Sequence, residues 1–396
     1  MRSVCTNAQG GADLRVSILT GLDVSASDGF AALKGKSIGV LCHHASVDRH
    51  FRHITRLLTD AQKESGFQMK CAFSPEHGLW GAKDSRIPGT NIDSRTGLTV
   101  HSLYGETYRP TKPMLEGIET LIIDLQDVGA RFYTYTWTMA HCLSACEEFG
   151  VQAVVLDRPN PIGGELAEGT VLEPKFSSFV GLHPVAQRHG MTFGEMATWI
   201  KDKFHPKLDL KVIEMQGWSR KLLFERTDLP WISPSPNMPR VDTAYVYPGM
   251  CLLEGTALSE GRGTTRPFET FGHPKLDGWK LVSKLSGIPL RPLYYQPTWS
   301  KHAGQYCGGA FLIIKDRFKF RPVETAIRIL LAVRELVPEA LGWEEESRRS
   351  RFDRLAGCSW LRESIASGEK IDAIQQRSQE GSKQFLIERK ESLLYD

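Results

Sequence analysis

Between residues 36 and 156 the chain alternates short apolar runs with helix-spaced segments, and no other feature restricts its fold as much. The runs at 36–42, 69–73, 120–125 and 151–156 are rich in Ile, Val, Leu and Phe without regular polar alternation. That is the pattern of strands buried on both faces. Between them, 49–63 places Phe51, Ile54, Leu57 and Leu58 on one helical face. A short stretch at 115–117 closes a helix, and 136–149 reads as a helix ended by Gly150. A parallel sheet covered by helices follows. Further strands are expected at 98–103, 210–215 and 308–315. Helices are expected at 192–203, where Thr192 and Glu195 have capping-box spacing, and at 323–336. Residues 1–28 read as a loose lead-in, 81–95 as a long loop over the sheet edge, and the charged stretch after 343 as helices with solvated outer faces.

The strand ends carry the chemistry. The second run finishes in Ser74-Pro75-Glu76-His77-Gly78, and Pro75 stops the ladder because it has no N–H to give. The third is followed by Asp127, Arg131, Tyr133 and Tyr135, the fourth by Asp157, Arg158 and Asn160. Strand C-termini of such a sheet share one edge, the edge where open α/β sheets bind ligands, so these clusters should converge. Glu76 is the leading catalytic candidate. Glu254, Glu260 and Glu269 are further loop acids set among arginines. Paired carboxylates beside Trp80, Tyr133 and Tyr135 suit glycoside cleavage, in which a carboxylic acid protonates the leaving oxygen. Arg131, Arg158, Arg262 and Arg266 exceed what a neutral sugar requires and point to an anionic substituent held by guanidinium forks.

Other classes are disfavoured. No GxGxxG follows the first strand, and no GxxxxGK[ST] or GxSxG occurs. His43, His44, His77, His101 and His273 have no zinc-ligand spacing, so no metal and no cofactor is expected. A net charge of +3 gives no reason for a nucleic-acid partner, and no run reaches a membrane span. The 8 cysteines include no CxxC and read as buried free thiols. The first residues lack the apolar core of a signal peptide. The expected compartment is therefore the cytoplasm, with export left open to an atypical or missing leader.

Five long stretches together resemble one family. They are Ser74-Pro75-Glu76-His77-Gly78, Asp124 through Tyr135, Leu156 through Gly164 (Leu-Asp-Arg-Pro-Asn-Pro-Ile-Gly-Gly), Ser233-Pro234-Ser235-Pro236-Asn237-Met238-Pro239, and Leu253-Glu254-Gly255-Thr256 with Ser259 through Glu269. In this order, over about 34–340, they resemble the NamZ-type exo-β-N-acetylmuramidases. Where relatives often have Asn-His-Thr after the first strand, this chain has His43-His44-Ala45.

The resemblance implies a Rossmann-like catalytic domain at 29–235 and a smaller α+β auxiliary domain at 236–396 that completes a cleft. It implies release of β-1,4-linked N-acetylmuramic acid from non-reducing ends of peptidoglycan fragments, whose lactyl carboxylate would account for the surplus arginines. Glu76 would be the general acid, with Trp80 pressing against it and Asp127 or Glu260 handling water or the 2-acetamido group. His77, Arg131, Tyr133, Arg158, Asn160, Asn237, Glu254, Arg262, Arg266 and Glu269 would contact substrate. The alternative is a muropeptide-binding protein that keeps the fold without turnover. The partners expected are muro-oligosaccharides, and the sequence leaves the oligomeric state open.

Overall fold

The computed structural model describes residues 15–82 and 89–396. The first half of the expected lead-in, Cys5 and part of the expected edge loop lie outside the described residues. Strands β1 (Ser37–Cys42), β2 (Gln68–Ser74), β3 (Thr90–Ile92), β4 (Thr99–Ser102), β5 (Thr120–Asp124) and β6 (Gln152–Leu156) precede a small ribbon of β7 (Glu168–Val171) and β8 (Ala186–Arg188). With β9 (Leu210–Ile213) the main sheet runs β3-β4-β2-β1-β5-β6-β9. Every neighbouring pair in it is parallel except β3 with β4.

The alternation of side chains along each strand explains the layers. Ile38, Val40, Ile122 and Val154 face one core with Leu22 of α1 (Gly21–Ser27) and Ile54 and Leu58 of α2 (Ile54–Ser65). Leu41, Leu121, Ile123, Ala153 and Val155 face the other, under α3 (Tyr135–Phe149) and α4 (Phe193–Phe204). This is an α/β, Rossmann-like sheet with helices on both faces. Gly150 closes α3 in the left-handed conformation, and Thr192 and Glu195 form the expected capping box on α4.

The C-terminal half starts with α5 (Val241–Met250). A three-stranded antiparallel sheet follows, ordered β10-β12-β11, from β10 (Thr270–His273), β11 (Leu290–Tyr295) and β12 (Cys307–Leu312). Around it lie α6 (Gly278–Lys284), α7 (Pro322–Leu336), α8 (Glu346–Ala356), α9 (Trp360–Ser367) and α10 (Ile371–Glu388). The α3/α4 core continues without a break into Tyr247, Phe271, Leu330 and Phe352. The chain end then returns to the parallel sheet. Arg389 donates to the carbonyls of His189 (2.7 Å) and Gly164 (2.9 Å), and the Tyr395 hydroxyl donates to Asp157 (2.6 Å).

Four local expectations are corrected. Residues 21–27 are not loose: Thr20 and Asp23 cap each other across the start of α1. The helix expected from 49 starts at Ile54, because Asp48 accepts the N–H groups of His50 and Arg52 and turns the chain first. Phe51 has a positive φ of 63° there and is exposed rather than on the apolar face. Before β5 stands a 3-10 turn at Lys112–Leu115 rather than a longer helix. The loop over the sheet edge contains β3, hairpinned onto β4.

Candidate active site

The chain leaves β1 toward β2 on one side and later returns to β5 on the other, so the switch point lies at the C-terminal ends of β1 and β5. His43 follows β1 directly and is fully buried. Its Nε2 accepts the N–H of Gln126 at 3.3 Å, so the neutral ring carries its proton on Nδ1. His44 Nε2 donates to the Ser233 carbonyl at 2.6 Å, and His53 Nε2 donates to the His43 carbonyl at 2.9 Å. Burial lowers all three imidazoles below the usual range. For His43, the neighbouring His44 and Arg158 add to the effect.

Glu76 stands at the next strand end, half-buried. The turn after Pro75 is tight: Gly78 donates to the Pro75 carbonyl at 3.0 Å, and His77 takes φ 71°, a strained value for a side chain with a Cβ. Thr134 Oγ1, just ahead of α3, donates to Glu76 Oε2 at 2.8 Å. The Tyr135 hydroxyl lies 3.2 Å from the Glu76 carbonyl oxygen and 2.9 Å from that of Pro234. Tyr133 packs edge-on against Tyr135, with centroids 4.8 Å apart. Burial pushes its hydroxyl well up, and the fields of Tyr135, Tyr247, Asp127 and Glu76 add to this. Trp80, expected against Glu76, gives its indole N–H to Asp93 (2.7 Å) and packs on His53.

Asp127 is buried at the end of β5. Oδ2 accepts the Gly129 N–H (2.7 Å) and faces His189 Nε2 (3.2 Å), while Thr136 reaches Oδ1 at 3.3 Å. His189 Nδ1 accepts the Met191 N–H, which leaves Nε2 to carry the proton toward Asp127. The proline-rich stretch 233–239 forms the opposite wall. Its Ser233 and Pro234 carbonyls meet His44 and Tyr135, and Ser235 Oγ lies 3.3 Å from His77 Nε2. Asn237 is half-buried beside it, its N–H on Ser235 Oγ at 3.3 Å.

The other expected residues separate into two kinds. Arg131 is 1% exposed and gives its guanidinium to the carbonyls of Thr170, Val185 and Leu355, at 2.6 to 2.8 Å. Arg158 forks onto the fully buried Asp124. Asn160 closes a turn through Ile162 N–H and the Met191 carbonyl. These three hold the strand ends together from within.

The acids of the C-terminal half form a second cluster. Glu254 pairs with Arg262 (2.6 Å) and Arg351; Glu260 lies between Arg262 (3.1 Å) and Lys301 (3.0 Å). Burial pushes Glu254 upward, but the two guanidiniums outweigh it and hold the carboxyl well below its usual range. Glu269 binds Arg240, Thr243 (2.7 Å) and Arg266 (3.4 Å). A run of rings connects the clusters. Arg262 lies over Phe268 at 4.8 Å, Phe268 meets Tyr247 at 4.7 Å, and Tyr247 meets Tyr133 at 6.2 Å.

Thr134 and the Ser233–Ser235 contacts escaped the sequence reading. Thr134 carries no signal beyond its place before a helix. The stretch 233–239 carries the family resemblance, and its three prolines exclude a helix or a central strand, but nothing in it marks a wall of the site. Among the described residues no group of three or more His, Cys, Asp and Glu is placed to hold a metal ion. None of their helices is long and apolar enough to cross a membrane.

Known proteins resemble the chain over nearly its whole length. Residues 38–242 match the family model for the N-terminal part of exo-β-N-acetylmuramidase NamZ, and 245–395 match that for its C-terminal part. The chain is 41% identical over 384 residues to the peptidoglycan β-N-acetylmuramidase NamZ of Bacillus subtilis, covering 96% of this chain and 91% of that one. Crystal structures of two DUF1343 family proteins of Bacteroides fragilis superpose with TM-scores of 0.89 and 0.77, at 31% and 30% identity. Each alignment covers 96% of this chain, and 100% and 99% of theirs.

Proposed function

The chain belongs to the NamZ family of exo-β-N-acetylmuramidases, and from that premise we propose that it is a glycosidase releasing β-1,4-linked N-acetylmuramic acid from non-reducing ends of peptidoglycan fragments. The observation that carries the site assignment is Glu76, at the ligand-binding edge of the sheet with one carboxylate oxygen fixed by Thr134 and its main-chain carbonyl beside the Tyr135 hydroxyl. Glu76 is the general acid and protonates the glycosidic oxygen as the bond to C1 breaks. Thr134 sets the rotamer, so the second oxygen carries the proton. Asp127, oriented by His189 and the Gly129 N–H, holds the water or the 2-acetamido group that meets C1. Glu260, clamped between two cations, serves to keep Arg262 in place.

Among the four arginines, Arg131 and Arg158 are buried and spend their terminal guanidinium nitrogens inside the protein, on main-chain carbonyls and on Asp124. Arg266, its side chain 41% exposed, is the one assigned to the lactyl carboxylate. The parallel-sheet unit at 29–235 supplies the chemistry, and the unit at 236–396 completes the cleft.

The test pairs a chromogenic β-N-acetylmuraminide with the matching β-N-acetylglucosaminide, for wild type and Glu76→Gln. Glutamine keeps the bond from Thr134 but cannot give a proton, so muraminide turnover should fall by roughly 10²- to 10⁴-fold. The glucosaminide should be inert with both proteins. Wild-type turnover by Glu76→Gln would refute the acid assignment. No release by the wild type, with free N-acetylmuramic acid still protecting the fold against heat, would assign a binding protein.

A further inference from the structure

β11 is an edge strand, hydrogen-bonded only to β12. Where it ends, three large aromatic side chains stand out from the surface: Trp279 and Tyr306 are each 69% exposed and Tyr294 38%. Soluble domains seldom leave such a group together without use. The rings are held. Tyr294 and Tyr306 lie nearly parallel, centroids 5.6 Å apart and planes 11° apart. Tyr294 pairs with Gly308 across the ladder, and its ring rests where a side chain at 308 would stand, 3.0 Å from the place of the missing Cβ. Asp277 anchors the neighbouring element: its Oδ1 accepts the N–H groups of Trp279 (2.9 Å) and Lys280 (3.1 Å) and lies 3.5 Å from the Tyr294 hydroxyl. The two stacked tyrosine rings lose little freedom when a ligand packs on them, and Asp277 fixes the backbone that presents Trp279.

We propose that Trp279, Tyr294 and Tyr306 form a non-catalytic platform that binds a glycan strand of peptidoglycan; this rests on the activity proposed above. Tyrosine and tryptophan present an apolar face and a polar edge, which suits the C–H face and hydroxyl rim of a pyranose ring. Lys280, exposed next to Trp279 in the chain, matches the lactyl carboxylates that a peptide-free strand carries. The platform is also continuous with the candidate site. The 296–305 loop leads to Tyr306, its Thr298 N–H bonds the Gly263 carbonyl (2.9 Å), and its Lys301 reaches Glu260 (3.0 Å). A fragment cut at one end by the parallel-sheet unit can thus be retained along its length by the C-terminal half of the molecule.

The experiment compares wild type with Trp279→Ala/Tyr306→Ala, and with Trp279→Ala alone. Both positions are mostly exposed, so the fold should tolerate the changes, as a thermal melt will show. Binding is read by co-sedimentation with insoluble peptidoglycan and by affinity electrophoresis in peptide-free glycan strands. Turnover is read on the monomeric chromogenic muraminide, and mass by sedimentation velocity. The double variant should bind strands at least about tenfold more weakly, the single variant less severely, with unchanged turnover of the monomeric substrate. Unchanged strand binding by the double variant would overturn the platform. So would a wild-type dimer that the variant converts to monomers, since the rings would then belong to an interface between two copies. Failure of the wild type to cleave the muraminide would count against the activity and leave the binding comparison to judge the platform separately.

Discussion

Gly81→Ala should link the end of β1 to the candidate cleft in a measurable way. Gly81 has φ 65°, and a Cβ built on it would lie 2.1 Å from Nδ1 and 2.2 Å from Cε1 of His44. The imidazole has little room to yield, because its Nε2 is committed to the Ser233 carbonyl at 2.6 Å. Three costs follow: about 1–2 kcal/mol for alanine in the left-handed region, about 1 kcal/mol for the broken hydrogen bond, and about 1–3 kcal/mol for overpacking. Some relaxation will offset part of this, so a loss of about 3–4 kcal/mol in urea unfolding is expected. Activity should fall too, since the same stretch supplies the Pro234 carbonyl to Tyr135 and the Ser235 hydroxyl to His77. His44→Ala serves as the second arm of a double-mutant cycle. With the ring gone, Gly81→Ala should cost only the backbone part, about 1–2 kcal/mol. An equal penalty in both backgrounds, or a Gly81→Ala protein within about 0.5 kcal/mol of wild type, would refute the clamp.

Two further substitutions separate structure from chemistry. Arg131→Lys loses the fork that reaches three carbonyls; urea unfolding should show a loss of about 2–4 kcal/mol, while KM for the muraminide in the surviving protein stays near wild type. A large rise in KM with intact stability would return Arg131 to the substrate. Asp157→Asn addresses pH. Burial lifts the Asp157 carboxyl to about 7, against hydrogen bonds from Tyr395, Gly194 and Thr192, well above its value in an unfolded chain. The folded state therefore holds this proton more tightly. Its contribution to stability is complete below about pH 4 and is lost as pH rises through about 7. Wild type should accordingly lose stability between pH 5 and pH 8 relative to Asp157→Asn, and parallel urea midpoints across that range would contradict the assignment.

How much of this could be read from the sequence depends on the range of the interaction. The parallel sheet was legible because strands buried on both faces have no polar alternation to disguise them, as at 120–125 and 151–156. The capping box on α4 was legible because both partners lie within four residues. The same local signal stood at Thr20 and Asp23, yet the surrounding Gly, Ser and Asp residues masked α1. Glu76 was legible for a different reason: a proline that stops a strand, followed at once by a carboxylate, places that acid at a sheet edge whatever lies around it. The wall that faces it was not legible. His44 and Ser233 are 189 positions apart, and His77 and Ser235 are 158 apart. Nothing in either stretch names the other.

The arginines show where composition misleads. Counting four of them near the acids suggested an anionic ligand, but a guanidinium also donates to main-chain carbonyls, and these do not appear in a sequence as acceptors. Arg131 has no carboxylate within ion-pair reach among the described residues, and burial pulls it down to about 10. Such a burial is tolerable only because three carbonyl groups from β7, the residue before β8 and α8 converge on it. Its charge therefore ties the parallel-sheet unit to the C-terminal helices. Arg158 does the same between two strand ends through Asp124. Subtracting the arginines spent on the fold leaves Arg262, at the end of the aromatic run from Tyr133, and Arg266, over Phe311. Of the four arginines counted in the sequence, the two outside the parallel-sheet unit are the more exposed, and Arg266 the most.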